Sequence, residues 1–156
     1  MLALPEKANE MFCFAVYGAT HAINRAYAPL LKPWGLTYPQ YITLTLLWEH
    51  DGQGVGEIAG QLGMESSTLT PLLKRLEKLG HVERRRGDED ERQVFVHLTK
   101  SGRSLQKAAQ HITKCLVEST GLEPRILEGI VEQLTQLRTN LEEQRSTLAG
   151  KAHEKA

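Results

Sequence analysis

The residues able to do chemistry in this 156-residue chain fall into two sets. The first is a run of small hydroxyl side chains, Ser66, Ser67, Thr68 and Thr70, followed by Pro71 and the cations Lys74, Arg75 and Lys78. Hydroxyls in the first turn of a helix can reach base edges and phosphates, and the helix N-terminus itself favours a phosphate. The cations further along suit contacts to a phosphate backbone. Arg84, Arg85, Arg86 and Arg92 come next, and arginine is favoured in a narrow minor groove. Among them stands Asp88-Glu89-Asp90-Glu91, an acidic quartet that DNA repels unless it pairs with those arginines or turns to solvent. The second set is Cys13 and Cys115, 102 positions apart, with His111 one helical turn before Cys115. A thiol reacts as its thiolate, which a neighbouring imidazole can favour. Taken alone, Cys13 reads first as a small core hydrophobe, and Cys115 reads equally as either.

Composition narrows the classes. Hydrophobic residues at 40% and charged residues at 24% describe a globular chain of one domain, or one core with an appendage, not a disordered or collagen-like one. No apolar run approaches the roughly 18 residues that span a bilayer, and no basic-then-apolar leader is visible at the start. Two distant cysteines make no disulfide framework, so the expected compartment is a reducing cytoplasm without membrane partners. Six histidines include no His-x-x-x-His pair, and His111 with Cys115 is two ligands short of a structural zinc site, so neither metal nor cofactor is expected. No phosphate loop, nucleophile elbow or paired-carboxylate motif argues for an enzyme. The net charge is zero, yet residues 74–103 carry nine basic and six acidic groups against three and six in residues 1–73. A local basic surplus is the electrostatic footprint of polyanion binding.

The elements that must position these residues are mostly helical. Pro5 and Glu6 open a helix running to about Leu31, closed by Pro33 and Gly35. Thr37 with Gln40 three residues on is a capping-box pattern ahead of Tyr41, Leu44, Leu47 and Trp48. His50-Asp51-Gly52 ends that helix, and Gly52 to Gly56 reads as a turn. A short helix follows over 55–62. After Gly63-Met64-Glu65, Ser66 or Ser67 caps a helix that buries Leu69, Leu72, Leu73, Leu76 and Leu79 and stops at Gly80. The period then changes to two. Residues 81–86 and 94–98 read as strands of a β-hairpin with a polar tip. Thr99 caps the next helix, and a break near Gly121 precedes Pro124 at the first turn of the last. That helix carries Ile130, Leu134, Leu137, Leu141 and Leu148 near a heptad seam and needs a partner surface, while the tail Lys151 to Ala156 is expected to fray. A short helix, a turn, a helix with a polar N-terminus and a basic hairpin make a winged helix-turn-helix.

The stretch from Leu69 to Gly80, then Arg84-Arg85-Arg86, Asp90-Glu91-Arg92-Gln93-Val94 and Leu98-Thr99, resembles the DNA-binding core of the MarR family. More narrowly, Phe12-Cys13-Phe14-Ala15, Gly35-Leu36-Thr37-Tyr38-Pro39-Gln40-Tyr41 and Ser67-Thr68-Leu69-Thr70-Pro71 resemble its organic hydroperoxide-sensing branch, the OhrR regulators. The resemblance is close over roughly residues 8–105. It implies an interlocked homodimer, with a dimerisation helix in residues 1–35, a winged lobe in 36–100 and further dimerisation helices in 101–156. Two lobes would sit on successive major grooves of a palindromic double-stranded operator. It also implies that Cys13 is oxidised by organic hydroperoxides while Tyr27 and Tyr38 hydrogen-bond its thiolate across the interface. Arg92, in the Asp90-x-Arg92 pattern that marks the family, would be the wing residue entering the minor groove. Cys115 takes the expected place of a resolving cysteine, an alternative to a small external thiol.

Phenolic donors suit this chemistry, because hydrogen bonds to the ionised thiol favour it without a second charge. The leading expectation is thus a redox-sensing repressor. A second keeps the DNA binding but releases it with a small aromatic ligand held by Tyr27, Tyr38, Trp34 and Trp48. A third, a thiol peroxidase, would leave the winged helix without a role.

Overall fold

A computed structural model describes residues 7–87 and 90–145, and divides the chain into two compact units, Met1–Leu116 and Val117–Ala156. Pro5, Glu6, Asp88, Glu89, Leu148 and the tail from Lys151 lie outside the described residues.

In the first unit, a 3-10 turn over Ala8–Glu10 leads into α1, Phe12–Leu31. Helical structure thus begins later than the sequence pattern implies. Met11 holds extended backbone at the cap, which puts Cys13 in the first turn of α1. Gly35, with φ of 65°, makes the left-handed exit that only glycine takes cheaply. α2, Tyr38–Glu49, opens on the expected box: the Gln40 side-chain oxygen accepts from the Thr37 N–H at 2.8 Å. α3, Val55–Leu62, and α4, Ser66–Lys78, form the helix-turn-helix. Glu65 occupies the cap of α4, and Ser66 and Ser67 are its first helical residues rather than its caps.

The sheet has three antiparallel strands in the order β1-β3-β2, namely Gln53–Gly54, Val94–Leu98 and Val82–Arg86. The hairpin is the one the alternation implied. β1 is an addition from the segment read as a turn, with Gln53 opposite Val96. Two residues are too short to show a period.

The core joins α2, α3, α4 and the sheet. Leu44, Leu47, Ile58, Leu69, Leu73, Leu76 and Val96 are all fully buried. Leu72 is half-buried, and Leu79, read as part of the buried stripe, is 41% exposed because α4 has already ended. α5, Lys100–Ser119, starts where the Thr99 hydroxyl accepts the Gly102 N–H and donates to the Gly80 carbonyl. A side chain at Gly102 would collide with the His81 carbonyl oxygen, so only glycine lets α5 begin against the sheet. Asp51 ties the same corner. Its carboxylate accepts the N–H groups of Leu98 at 2.7 Å and Gly52 at 3.0 Å, and pairs with Arg103. Within the second unit, α6, Pro124–Glu143, buries no residue.

Candidate functional site

The outward face of α4 presents the hydroxyl and cationic residues together. Ser66, Ser67, Thr68, Pro71, Lys74, Arg75 and Lys78 are exposed, and the Thr70 hydroxyl donates to the Ser66 carbonyl at 2.7 Å. This follows from the period of α4: with leucines at 69, 73 and 76 turned inward, positions between them must face out. An open cleft of about 610 Å³ runs between α4 and the hairpin, lined among others by Ser66, Thr70, Arg84, Arg92 and Phe95.

The four hairpin arginines divide by environment. Arg84 is partly covered and committed to Glu77 of α4, with Nε and Nη2 at 2.9 and 2.8 Å from the same carboxylate oxygen. This pairing holds the Glu77 carboxyl below the usual range. Arg85 pairs with Glu83 along the strand. Arg86 lies 4.0 Å from Glu91, both largely exposed. Arg92 has a side chain 95% exposed, the freest of the four. Asp90 holds the tip: its carboxylate accepts the Arg92 N–H at 3.0 Å and stands 3.5 Å from that guanidinium. Two of the four acids thus face arginines, while Asp88 and Glu89 fall outside the described residues.

Cys13 is exposed on α1. Fourteen residues separate it from Tyr27, which at helical geometry is about 21 Å along the axis and within about 40° of the same face. The two side chains share a stripe but cannot touch within one chain. Polar residues midway along this stripe turn inward on their own helix: Thr20 donates to the Val16 carbonyl at 2.9 Å and Asn24 to the Thr20 carbonyl at 2.8 Å. The neighbouring apolar side chains stay open, with Phe12 63%, Phe14 52% and Tyr17 64% exposed.

At the other end of the stripe, Tyr27 stacks on Tyr38 with ring centroids 4.6 Å apart, and Tyr41 packs against Tyr27 at 5.4 Å. Burial, with Tyr41 and Tyr38 nearby, pushes the Tyr27 phenol up to about 12. Burial and Tyr41 raise Tyr38 in the same direction. Both therefore keep their protons at neutral pH and can donate to an anion. Neither hydroxyl makes a hydrogen bond among the described residues, whereas Tyr41 is engaged with Thr113 at 3.1 Å.

Cys115 is half-buried, its sulfur 3.5 Å from His111 Nε2. The aromatic residues read as a ligand pocket are not brought together as one. The Trp48 indole donates to the Gly102 carbonyl at 2.9 Å. A hollow of about 500 Å³ between α1 and the start of α2 has Tyr38 on its wall without Tyr27, Trp34 or Trp48. Among the described residues, no three metal-ligating side chains converge and no helix is long and apolar enough to cross a membrane.

Sequence reading passed over Glu77. Its one signal was being the sole acid in α4, among Lys74, Arg75 and Lys78.

A family model described as transcriptional regulator SarA/Rot matches residues 25–109. The HTH-type transcriptional regulator TtmR of Methylorubrum extorquens is 44% identical over 137 residues, covering 88% of this chain and 70% of that protein. The organic hydroperoxide resistance transcriptional regulator of Bacillus subtilis is 38% identical, covering 87% and 90%. Among solved structures, reduced AbfR bound to DNA, a protein of Staphylococcus epidermidis, is 36% identical with a TM-score of 0.71, covering 86% of this chain and 92% of that one. The disulfide form of AbfR superposes with a TM-score of 0.62. With the helix-turn-helix, the wing and these relatives in agreement, the chain belongs to the MarR-type family of winged-helix transcriptional regulators.

Proposed function

We propose that this regulator is a homodimeric repressor that binds palindromic operator DNA when reduced and releases it when an organic hydroperoxide oxidises Cys13. The observation that carries the sensing is the α1 stripe. Two copies of α1 crossing antiparallel near Thr20 would bring Cys13 of one chain against the Tyr27–Tyr38 pair of the other, where two protonated phenols await an acceptor. The open apolar side chains beside Cys13 are the surface such a crossing covers. One relative is named for organic hydroperoxide resistance, and another, AbfR, is solved in reduced and disulfide forms; both support the same reading.

The step balances simply. The Cys13 thiolate attacks the distal peroxide oxygen; an S–O bond forms, the O–O bond breaks, and the alkoxide leaves and takes a proton. The sulfenic acid then condenses with a thiol, forming a disulfide and releasing water. The thiol is either the partner's Cys115 or a small external one. Loss of the phenol–thiolate contact reorders the interface and moves the two lobes out of register with successive grooves. A coupling of about 3 kcal/mol weakens DNA binding roughly 150-fold.

On DNA, the α4 hydroxyls and Lys74, Arg75 and Lys78 take the major groove and its phosphates, and Arg92, braced by Asp90, enters the minor groove with Arg85 and Arg86 nearby. Arg84 serves from its place against Glu77.

Non-reducing electrophoresis after one equivalent of cumene hydroperoxide tests the sensing chemistry on wild type, Cys13→Ser and Cys115→Ser. A linked dimer in the wild type alone supports the two-cysteine route. Adducts on Cys13 by intact mass, without linked dimer, support the external thiol. An unmodified Cys13 removes the proposal and leaves release by an aromatic ligand, which the hollow beside Tyr38 would then have to accommodate.

A further inference from the structure

We propose that Glu77 is a positioning residue for DNA recognition, fastening the wing to the recognition helix so that both meet DNA as one rigid unit. The inference rests on the DNA-binding reading above and deepens it.

Glu77 lies in the last turn of α4, a helix whose other charged residues are cations. An acid there would repel phosphates if it were free, so its presence asks for a structural use. Both carboxylate oxygens are occupied by one residue of β2. Oε1 accepts the Arg84 backbone N–H at 3.0 Å, and Oε2 accepts Nε at 2.9 Å and Nη2 at 2.8 Å. A charge-assisted, multi-point contact of this kind fixes direction as well as distance. It also reaches the backbone, so it holds the strand and not merely a side chain.

The strand converts that grip into control of the tip. Side chains alternate along β2, so anchoring Arg84 toward α4 puts Arg86 on the same face and Glu83 and Arg85 on the other. Arg86 is the last paired residue of the strand, opposite Val94, and the Gly87 N–H closes the tip on the Gln93 carbonyl at 2.9 Å. Three residues of strand place Gly87 about 10 Å beyond Arg84, so a small swing at the anchor is magnified at Arg92. Apolar contacts already hold the base of β2, where Val82 is buried. Glu77 is the polar grip nearer the tip.

The test is a double-mutant cycle on operator affinity, using a duplex selected by the wild-type dimer from a randomised pool. Glu77→Ala and Glu77→Gln are each measured in the full wing and in a wing stripped by Arg86→Ala with Arg92→Ala. With the full wing, Glu77→Ala should bind about tenfold more weakly, the size of one lost arginine contact. In the stripped wing the same change should cost less than about twofold, because its effect runs through the arginines already removed. Glu77→Gln keeps an acceptor for the Arg84 N–H and should fall between wild type and Glu77→Ala. It also carries the test should Glu77→Ala fold poorly, with thermal melting of each dimer recorded alongside. An equal loss in both backgrounds, or no loss in the full wing, would overturn the clamp. A wild-type dimer that selects no duplex would overturn the DNA-binding reading along with it.

Discussion

The winged lobe and the terminal helices use the same helical periodicity to opposite ends. In the lobe, the apolar stripe of α4 closes against α2, α3 and the sheet, leaving Leu69, Leu73 and Leu76 without exposed surface. In α6 an equally regular stripe closes against nothing within its unit: Ile126, Ile130, Leu134 and Leu141 are 41–48% exposed. The N-terminal half of α1 behaves like α6, with Phe12 and Tyr17 more than 60% exposed and no buried residue before Tyr27. Amphipathicity records that a helix needs a partner, not which chain supplies it. The lobe is complete within one chain, and the two terminal helices present apolar surfaces that the proposed dimer would cover.

The largest expected effects separate these regions. Leu73→Ala should cost about 2–5 kcal/mol through the cavity it leaves, lowering the melting temperature. Leu134→Ala on α6 should instead weaken the dimer, seen by sedimentation as dissociation at higher protein concentration, with melting now concentration-dependent. Equal behaviour of the two variants would break the distinction. Next in size, Gly102→Ala should cost about 1–3 kcal/mol or more, since its Cβ meets backbone that cannot yield. Calorimetry against wild type checks it.

Smaller still is Arg92→Ala, which should weaken operator binding about tenfold and flatten its salt dependence while leaving melting unchanged. A changed melting temperature would mean that the exposed tip belongs to the core after all. The smallest effect is one of pH. Burial would raise the Asp51 carboxyl, but the Leu98 N–H, Arg103 and the Gly52 N–H outweigh it and hold it below its usual value. Its contribution is present at neutral pH and lost as pH falls through that lowered value. Asp51→Asn should therefore be less stable at neutral pH and lose less stability on acidification, as melting curves across the acid range would show.

Much of this was legible before any coordinates. The helix-turn-helix, the hairpin, the Thr37–Gln40 box and the Thr99 cap are local, each written within a few neighbouring residues. β1 was not legible, because Gln53 and Gly54 become a strand only by pairing with β3. Nor was the cap of α4: two adjacent serines offer equal caps on paper, and the helix starts one residue before the second. The Glu77–Arg84 clamp depends on how β2 returns past Gly80, a geometry that spacing alone does not carry. The proposed pairing of Cys13 with Tyr27 and Tyr38 rests on family resemblance. One chain shows why periodicity alone would miss it, since about 21 Å of helix separates the partners.

The central claim is that oxidation of Cys13 itself frees the DNA, and operator release measured by fluorescence anisotropy tests it most directly. Pre-formed complexes of wild type and Cys13→Ser with the selected duplex would be titrated with cumene hydroperoxide. Release of the wild type at near-stoichiometric peroxide, with Cys13→Ser remaining bound, is the predicted result. Equal release of both proteins, or retention of both, would contradict it.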